Sequence, residues 1–154
     1  GPRYVPKAGE TVVTEPVLLT GSARDGVIYN TFVYTIRAGG MVQLCTVSQP
    51  NSLGQVVDGT KGHPDFCAGL TRPAQGKYFW GGAIVTPQTS DIYIYVASPP
   101  TVKILLKEPD GSYQAAIRFG DQTADLSVFV SPEGIKRPTA ASALDAAGNS
   151  LENR

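Results

Sequence analysis

Glycine and proline limit how far any element of this chain can run. They supply 17 and 12 of the 154 residues and recur every several positions, so few stretches are long enough to hold an ordinary helix. The residues between them are strand formers: valine and isoleucine together outnumber leucine and threonine is frequent, a composition suited to a pleated, half-buried surface. The pattern predicts strands over Thr11–Leu19, Val27–Arg37, Met41–Val47, Lys77–Val85, Asp91–Ala97, Thr101–Lys107, Tyr113–Phe119 and Leu126–Val130. Their even spacing points to an all-β fold, an antiparallel β-sandwich or jelly roll of about eight short strands. Ile28, Phe32, Ile36, Leu44, Ile92, Ile94, Val96, Ile104, Leu106, Ile117 and Val128 are the expected core.

The connections agree with that reading. In "EPDGS" (108–112) proline presets φ, aspartate bonds its own backbone and glycine takes φ > 0, which makes a hairpin between "VKILLK" and "YQAAIRF". "RAGGM" is a second tight turn and "TPQTS" a looser one. Residues 48–76 are different, with many breakers and no sustained period. A loop of that length in a compact domain is either a functional excursion or hides short strands around Gln55–Val57. The alanine-rich segment from Thr139 onward reads as a flexible or short helical tail, stopped by Gly148-Asn149. The domain plan is therefore an N-terminal arm over 1–10, one sandwich domain over 11–138 and a weakly structured tail over 139–154.

Charge excludes several partners. The 13 basic and 13 acidic residues balance and neither sign gathers into a run, so no long-range field draws the chain to nucleic acid or to an anionic membrane. No apolar run approaches the roughly 18 residues that span a bilayer, and membrane insertion is not expected. Gly1-Pro2 resembles the remnant of a tag removed by a viral 3C-type protease, so the native N-terminus is expected to be cut away. The expected setting is extracellular, periplasmic or virion. In such a setting Cys45 and Cys67 would be bridged, closing a loop of about 20 residues and restricting the unfolded chain by about 3 kcal/mol. In a reducing compartment they would be two separate small hydrophobes.

Reactive groups are sparse. His63 falls in "GHPDFC" with Asp65 and Cys67, but residues two apart in an extended segment sit about 7 Å from one another, beyond the reach a nucleophile and its base need. The cysteines and the single histidine lack the close pairs that seed a zinc site, and they fall short of a blue-copper ligand set. Asp110, Asp121 and Asp125 stand at turns, where aspartate usually caps its own backbone rather than binding calcium. The glutamates Glu10, Glu15, Glu108, Glu133 and Glu152 lie mostly at strand ends or in tails, a poor basis for a glycosidase pair. No nucleophile elbow, phosphate loop or dinucleotide fingerprint occurs. No catalysis, metal or cofactor is expected.

The informative stretch is "SDIYIYVASPP" (90–100). Ile92, Ile94 and Val96 form an aliphatic row suited to a core, which leaves Tyr93 and Tyr95 on the alternate row. Exposed tyrosines stabilise a sheet through cross-strand pairs worth about 0.2 to 1 kcal/mol. They also build amphipathic recognition platforms, since they offer large area, a polar tip and little rotamer entropy. Tyr78 and Trp80, one strand earlier, would extend such a platform. If the 48–76 loop covers one end of the strand, Tyr93 is expected beneath it and Tyr95 in the open.

The run "FVYTIRAGGMVQLCT" resembles one strand pair of the bacterial pre-peptidase C-terminal β-sandwich modules, and the uncharged, Gly- and Thr-rich strands resemble tail, baseplate or decoration domains of bacteriophage particles. Neither resemblance assigns a role to a residue. Low charge on several strand faces suits a protein covered by neighbouring subunits. The expected function is a non-catalytic structural or recognition module of a particle or cell surface, with other protein subunits or further copies of itself as partners. The alternative is a carbohydrate-binding module whose glycan would rest on the tyrosine face.

Overall fold

The computed structural model describes residues 1–62, 64–84, 91–123, 125–132 and 134–152. The chain is all-β: strands take 59% of it and helix only 2%, in several packed antiparallel sheets, with no closed barrel among the described residues. Every strand expected from the sequence is present in some form. The strands gather into two compact units, the first built from Gly1–Leu70 and the second from the strands that follow, and each has its own cluster of buried side chains.

The first unit contains β1 (Arg3–Val5), β2 (Glu10–Arg24), β3 (Val27–Ala38), β4 (Met41–Pro50), a single 3-10 turn (Asn51–Leu53), β5 (Val56–Asp58) and β6 (Phe66–Gly69). β2, β3, β4 and β6 make an antiparallel sheet in that order, and β1 and β5 make a two-stranded parallel ribbon. The two leading hairpins follow from two-residue turns with positive φ at both positions, Asp25-Gly26 (50° and 76°) and Gly39-Gly40 (59° and 77°). This primed geometry matches the natural twist of paired strands. Tyr4 and Val57 of the ribbon pack on Phe32, Tyr34, Ile36 and Cys45 of the sheet. Two carboxylates of β2 pin the ribbon: Glu15 accepts from the Tyr4 amide at 2.8 Å and Glu10 from the Tyr4 hydroxyl at 2.7 Å.

The second unit contains β7 (Phe79–Ile84), β8 (Ile92–Ala97), β9 (Lys103–Lys107), β10 (Tyr113–Ala115), β11 (Ile117–Thr123), β12 (Leu126–Val130), β13 (Ala140–Leu144) and β14 (Ser150–Leu151). One sheet runs β11-β12-β8-β7 and the other β10-β9-β13-β14. The "EPDGS" hairpin forms as expected, with Lys107 opposite Tyr113 and Asp110 accepting from the Ser112 amide at 2.9 Å. The strand expected over Tyr113–Phe119 is divided. β10 pairs in one sheet and β11 in the other, with the Ala116 amide donating to Ile104 between them.

Two expectations are corrected here. The tail over 139–154 holds β13, which lies between β9 and β14. Its alanines are small enough to fit a core already filled by rings, and Ala143 is fully buried. Ile28 and Ile117, expected in the core, are 53% and 52% exposed. Ile28 lies near the tip of the β2–β3 hairpin, past the last residue that β4 pairs, and Ile117 opens β11, a sheet-edge strand. The 48–76 segment does hide a strand, β5, at the expected place.

Candidate functional site

The tyrosine row does not form an open platform. Tyr93 and Tyr95 are 9% and 7% exposed and belong to the buried cluster shared by the two sheets of the second unit, together with Phe129 of β12, Ile104 and Leu106 of β9 and Ala143 of β13. The row faces the partner sheet, not solvent. Tyr95 lies between Phe129 and Gly81 in the register, its ring so close to Gly81 that a Cβ there would fall 2.8 Å from it. A glycine beside an aromatic ring lets the ring lie flat over the neighbouring backbone. Burial raises the Tyr95 hydroxyl pKa, with the Tyr93 hydroxyl adding to the shift. Tyr78 packs against the same cluster. Trp80 pairs with Val96, so it lies on the opposite face, half-buried, its indole donating to the Thr71 carbonyl at 2.8 Å. The aliphatic row Ile92, Ile94 and Val96 is buried as well. β8 is therefore covered on both faces, and Tyr78, Trp80, Tyr93 and Tyr95 do not share the one open face that the binding platform expected there requires.

Several groups weighed for chemistry have partners within the fold. Cys67 is bonded to Cys45, directly opposite it across β4 and β6 with Cα atoms 4.1 Å apart. Asp65 accepts from the Ser48 amide at 2.7 Å, and His63 lies outside the described residues. Asp110 caps its turn, and Asp125 pairs with Arg72. Glu108 accepts from Gln114 at 2.9 Å, while Glu133 and the "TPQTS" turn lie outside the described residues. Among the described residues no three His, Cys, Asp or Glu side chains converge as metal ligands.

A different site stands in the first unit. A cavity of about 390 Å³ opens on the face of the sheet that carries the ribbon. Tyr34, Val47 and Gln49 of the sheet form its floor, Tyr4 and Val57 of the ribbon one side, and Leu53 with Val56 another; Asp58, Gly59, Lys61, Gly62 and Pro64 make the rim. Tyr4 stacks on Tyr34 with ring centroids 4.5 Å apart. Burial pushes the Tyr34 hydroxyl up to about 12, the Glu10 carboxylate adding to the shift. Tyr4 is raised further still, by burial first and then by its donation to Glu10. A Cβ at Gly59 would overlap the Tyr4 hydroxyl, so the loop closes against the ring only because that position is glycine.

All described lining residues except Tyr4 and Tyr34 fall between Cys45 and Cys67. The disulfide closes the segment that walls the cavity. The length of the 48–76 loop and the presence of one cysteine beside it and one within it were the available signals; nothing in the local sequence marks Tyr4 or Tyr34 as its floor and side. Comparison with known protein families, with curated proteins and with solved structures finds no match.

Proposed function

We propose that this chain is a non-catalytic structural or recognition module of an extracellular particle or cell surface, and that it associates with neighbouring copies of itself through the β2–β3 hairpin. The observation that carries the reading is the apolar character of that hairpin's exposed part. Val17, Leu18, Val27 and Ile28 are 45%, 44%, 41% and 53% exposed. Residues paired across a ladder share a face. Leu18 pairs with Phe32 and Ala23 with Ile28, placing Leu18 and Ile28 on one face; Val17 and Val27 fall on the other. The hairpin continues to the Arg24–Val27 pair, past the last rung with β4 at Tyr29–Pro50. Val27 and Ile28 stand on the part past β4, Val17 and Leu18 beside rungs that β4 pairs, and aliphatic groups exposed along one hairpin favour contact with another protein surface.

The chemistry of association follows from the same element. β2 is a sheet edge, but its pairing shifts register three times between Val12 and Thr20. Irregularities of this kind blunt an edge against strand addition, so packing of side-chain faces is the favoured mode. Zero formal charge leaves no net repulsion between copies. The disulfide suits an oxidising compartment, and no helix among the described residues is long and apolar enough to cross a membrane.

Sedimentation velocity across a concentration series tests the reading. The wild-type chain is expected to self-associate, and Leu18→Ser with Ile28→Lys is expected to leave a monomer with an unchanged melt. A wild-type chain that stays monomeric up to its solubility limit would overturn it.

A further inference from the structure

We infer that the cavity of the first unit is a binding site for a small, uncharged, ring-bearing apolar molecule, independent of the association surface on the β2–β3 hairpin. The volume of about 390 Å³ falls within the range of small-molecule sites, roughly 300 to 1,000 Å³, and well above the roughly 150 Å³ that admits a single benzene ring. A molecule of two or three rings is the matching size. The floor and sides offer aromatic and aliphatic surface from Tyr34, Tyr4, Val47, Leu53 and Val56.

The polar groups define the ligand by being occupied. The Gln49 amide donates to the carbonyls of Val56 at 3.0 Å and Gly54 at 3.4 Å. The Tyr4 hydroxyl donates to Glu10 at 2.7 Å, and Asp58 accepts from both the amide and the hydroxyl of Thr60. At the rim Asp58 and Lys61 stand 4.0 Å apart with opposite charge. A sugar, whose hydroxyls need several convergent partners, finds these groups already engaged. An added peptide strand would need carbonyls along β5, and Gln49 already occupies that of Val56. A charged ligand would find, among the described lining residues, Asp58 and Lys61 facing each other, and the raised tyrosine hydroxyls stay neutral at any physiological pH. Apolar contact is what the cavity has left to give.

The wall is built to keep its shape. Tyr4 and Val57 hold the ribbon on the sheet, and Cys45–Cys67 closes the segment between β4 and β6. A site fixed before its ligand arrives loses less ordering entropy on binding.

Titration of the oxidised protein with the neutral fluorophore N-phenyl-1-naphthylamine tests the inference. A saturable rise in emission is expected from the wild type. A Cβ added at Gly62, a rim residue, meets no other atom within 4 Å, so Gly62→Trp should fold and abolish the rise by filling the space. Leu53→Asp, at a side chain already 61% exposed, should weaken binding at least tenfold with an unchanged melt. Ile28→Lys should bind as the wild type does, which separates this site from the association surface. Absence of saturable binding, full binding by Gly62→Trp, loss of binding by Ile28→Lys, or displacement of the fluorophore by a neutral disaccharide would each overturn the inference.

Discussion

Tyr34 stands at the floor of the cavity with its ring under Tyr4 and its hydroxyl removed from water, and this placement ties stability to alkaline pH. Tyrosine in the unfolded chain ionises near pH 10, whereas Tyr34 in the folded chain holds its proton to about 12. Below pH 10 both states are protonated and the folded state keeps its full stability. Between 10 and 12 the unfolded chain releases the proton and the folded chain does not, so stability falls with rising pH, by about 3 kcal/mol across the window. The neighbouring charges are Glu10 and Asp65, both of which disfavour the phenolate. Tyr4 shares the direction and extends the decline to higher pH. Urea titrations from pH 9 to 12 should show the wild-type midpoint falling more steeply than that of Tyr34→Phe, which lacks the ionising group. Parallel slopes in the two proteins would refute the assignment.

At the scale of elements, the alternation in β8 was readable and its meaning was not. Ile92, Ile94 and Val96 on one row and Tyr93 and Tyr95 on the other are what a half-buried strand shows, yet both rows are covered. Sequence period identifies two faces; it does not say how many layers cover them. The tyrosine row is a core row, so Tyr95→Ala should cost about 3 to 5 kcal/mol, as deletion of a buried aromatic does, and thermal melting will show the loss. A melt within a degree of wild type would mean that the ring is not buried as described. The hairpins were legible because Asp-Gly, Gly-Gly and Pro-Asp-Gly carry their backbone requirements in their residue types. β13 was not. Alanine favours helix in isolation, and only the rings of Tyr93 and Tyr95 in the same cluster explain why Ala141 and Ala143, paired with Leu106 and Ile104, make a strand. β1, β5, β6 and β14 have at most four residues each, too short for a period to register.

For the whole molecule, the strands gather into two compact units, and the disulfide belongs to the first. Its 22-residue separation corresponds to about 3 kcal/mol of restriction on the unfolded chain. Reduction should therefore lower hydrogen-exchange protection in β2, β3 and β4 while β8, β9 and β12 keep theirs; equal loss in both sets would show that the units open together. The units also differ in how far apart their partners lie along the chain. β2, β3 and β4 pair in sequence order, each with the next. β9 pairs with β10 at once, but its other neighbour, β13, begins only at Ala140. A nascent chain emerging from a ribosome can zip the first sheet early, but Tyr93, Tyr95 and Phe129 are already outside before the alanine strand that completes their opposite layer has been made. During that interval the rings of Tyr93, Tyr95 and Phe129 lack the part of their cover that β13 supplies, and are the more open to chaperones and to other nascent chains.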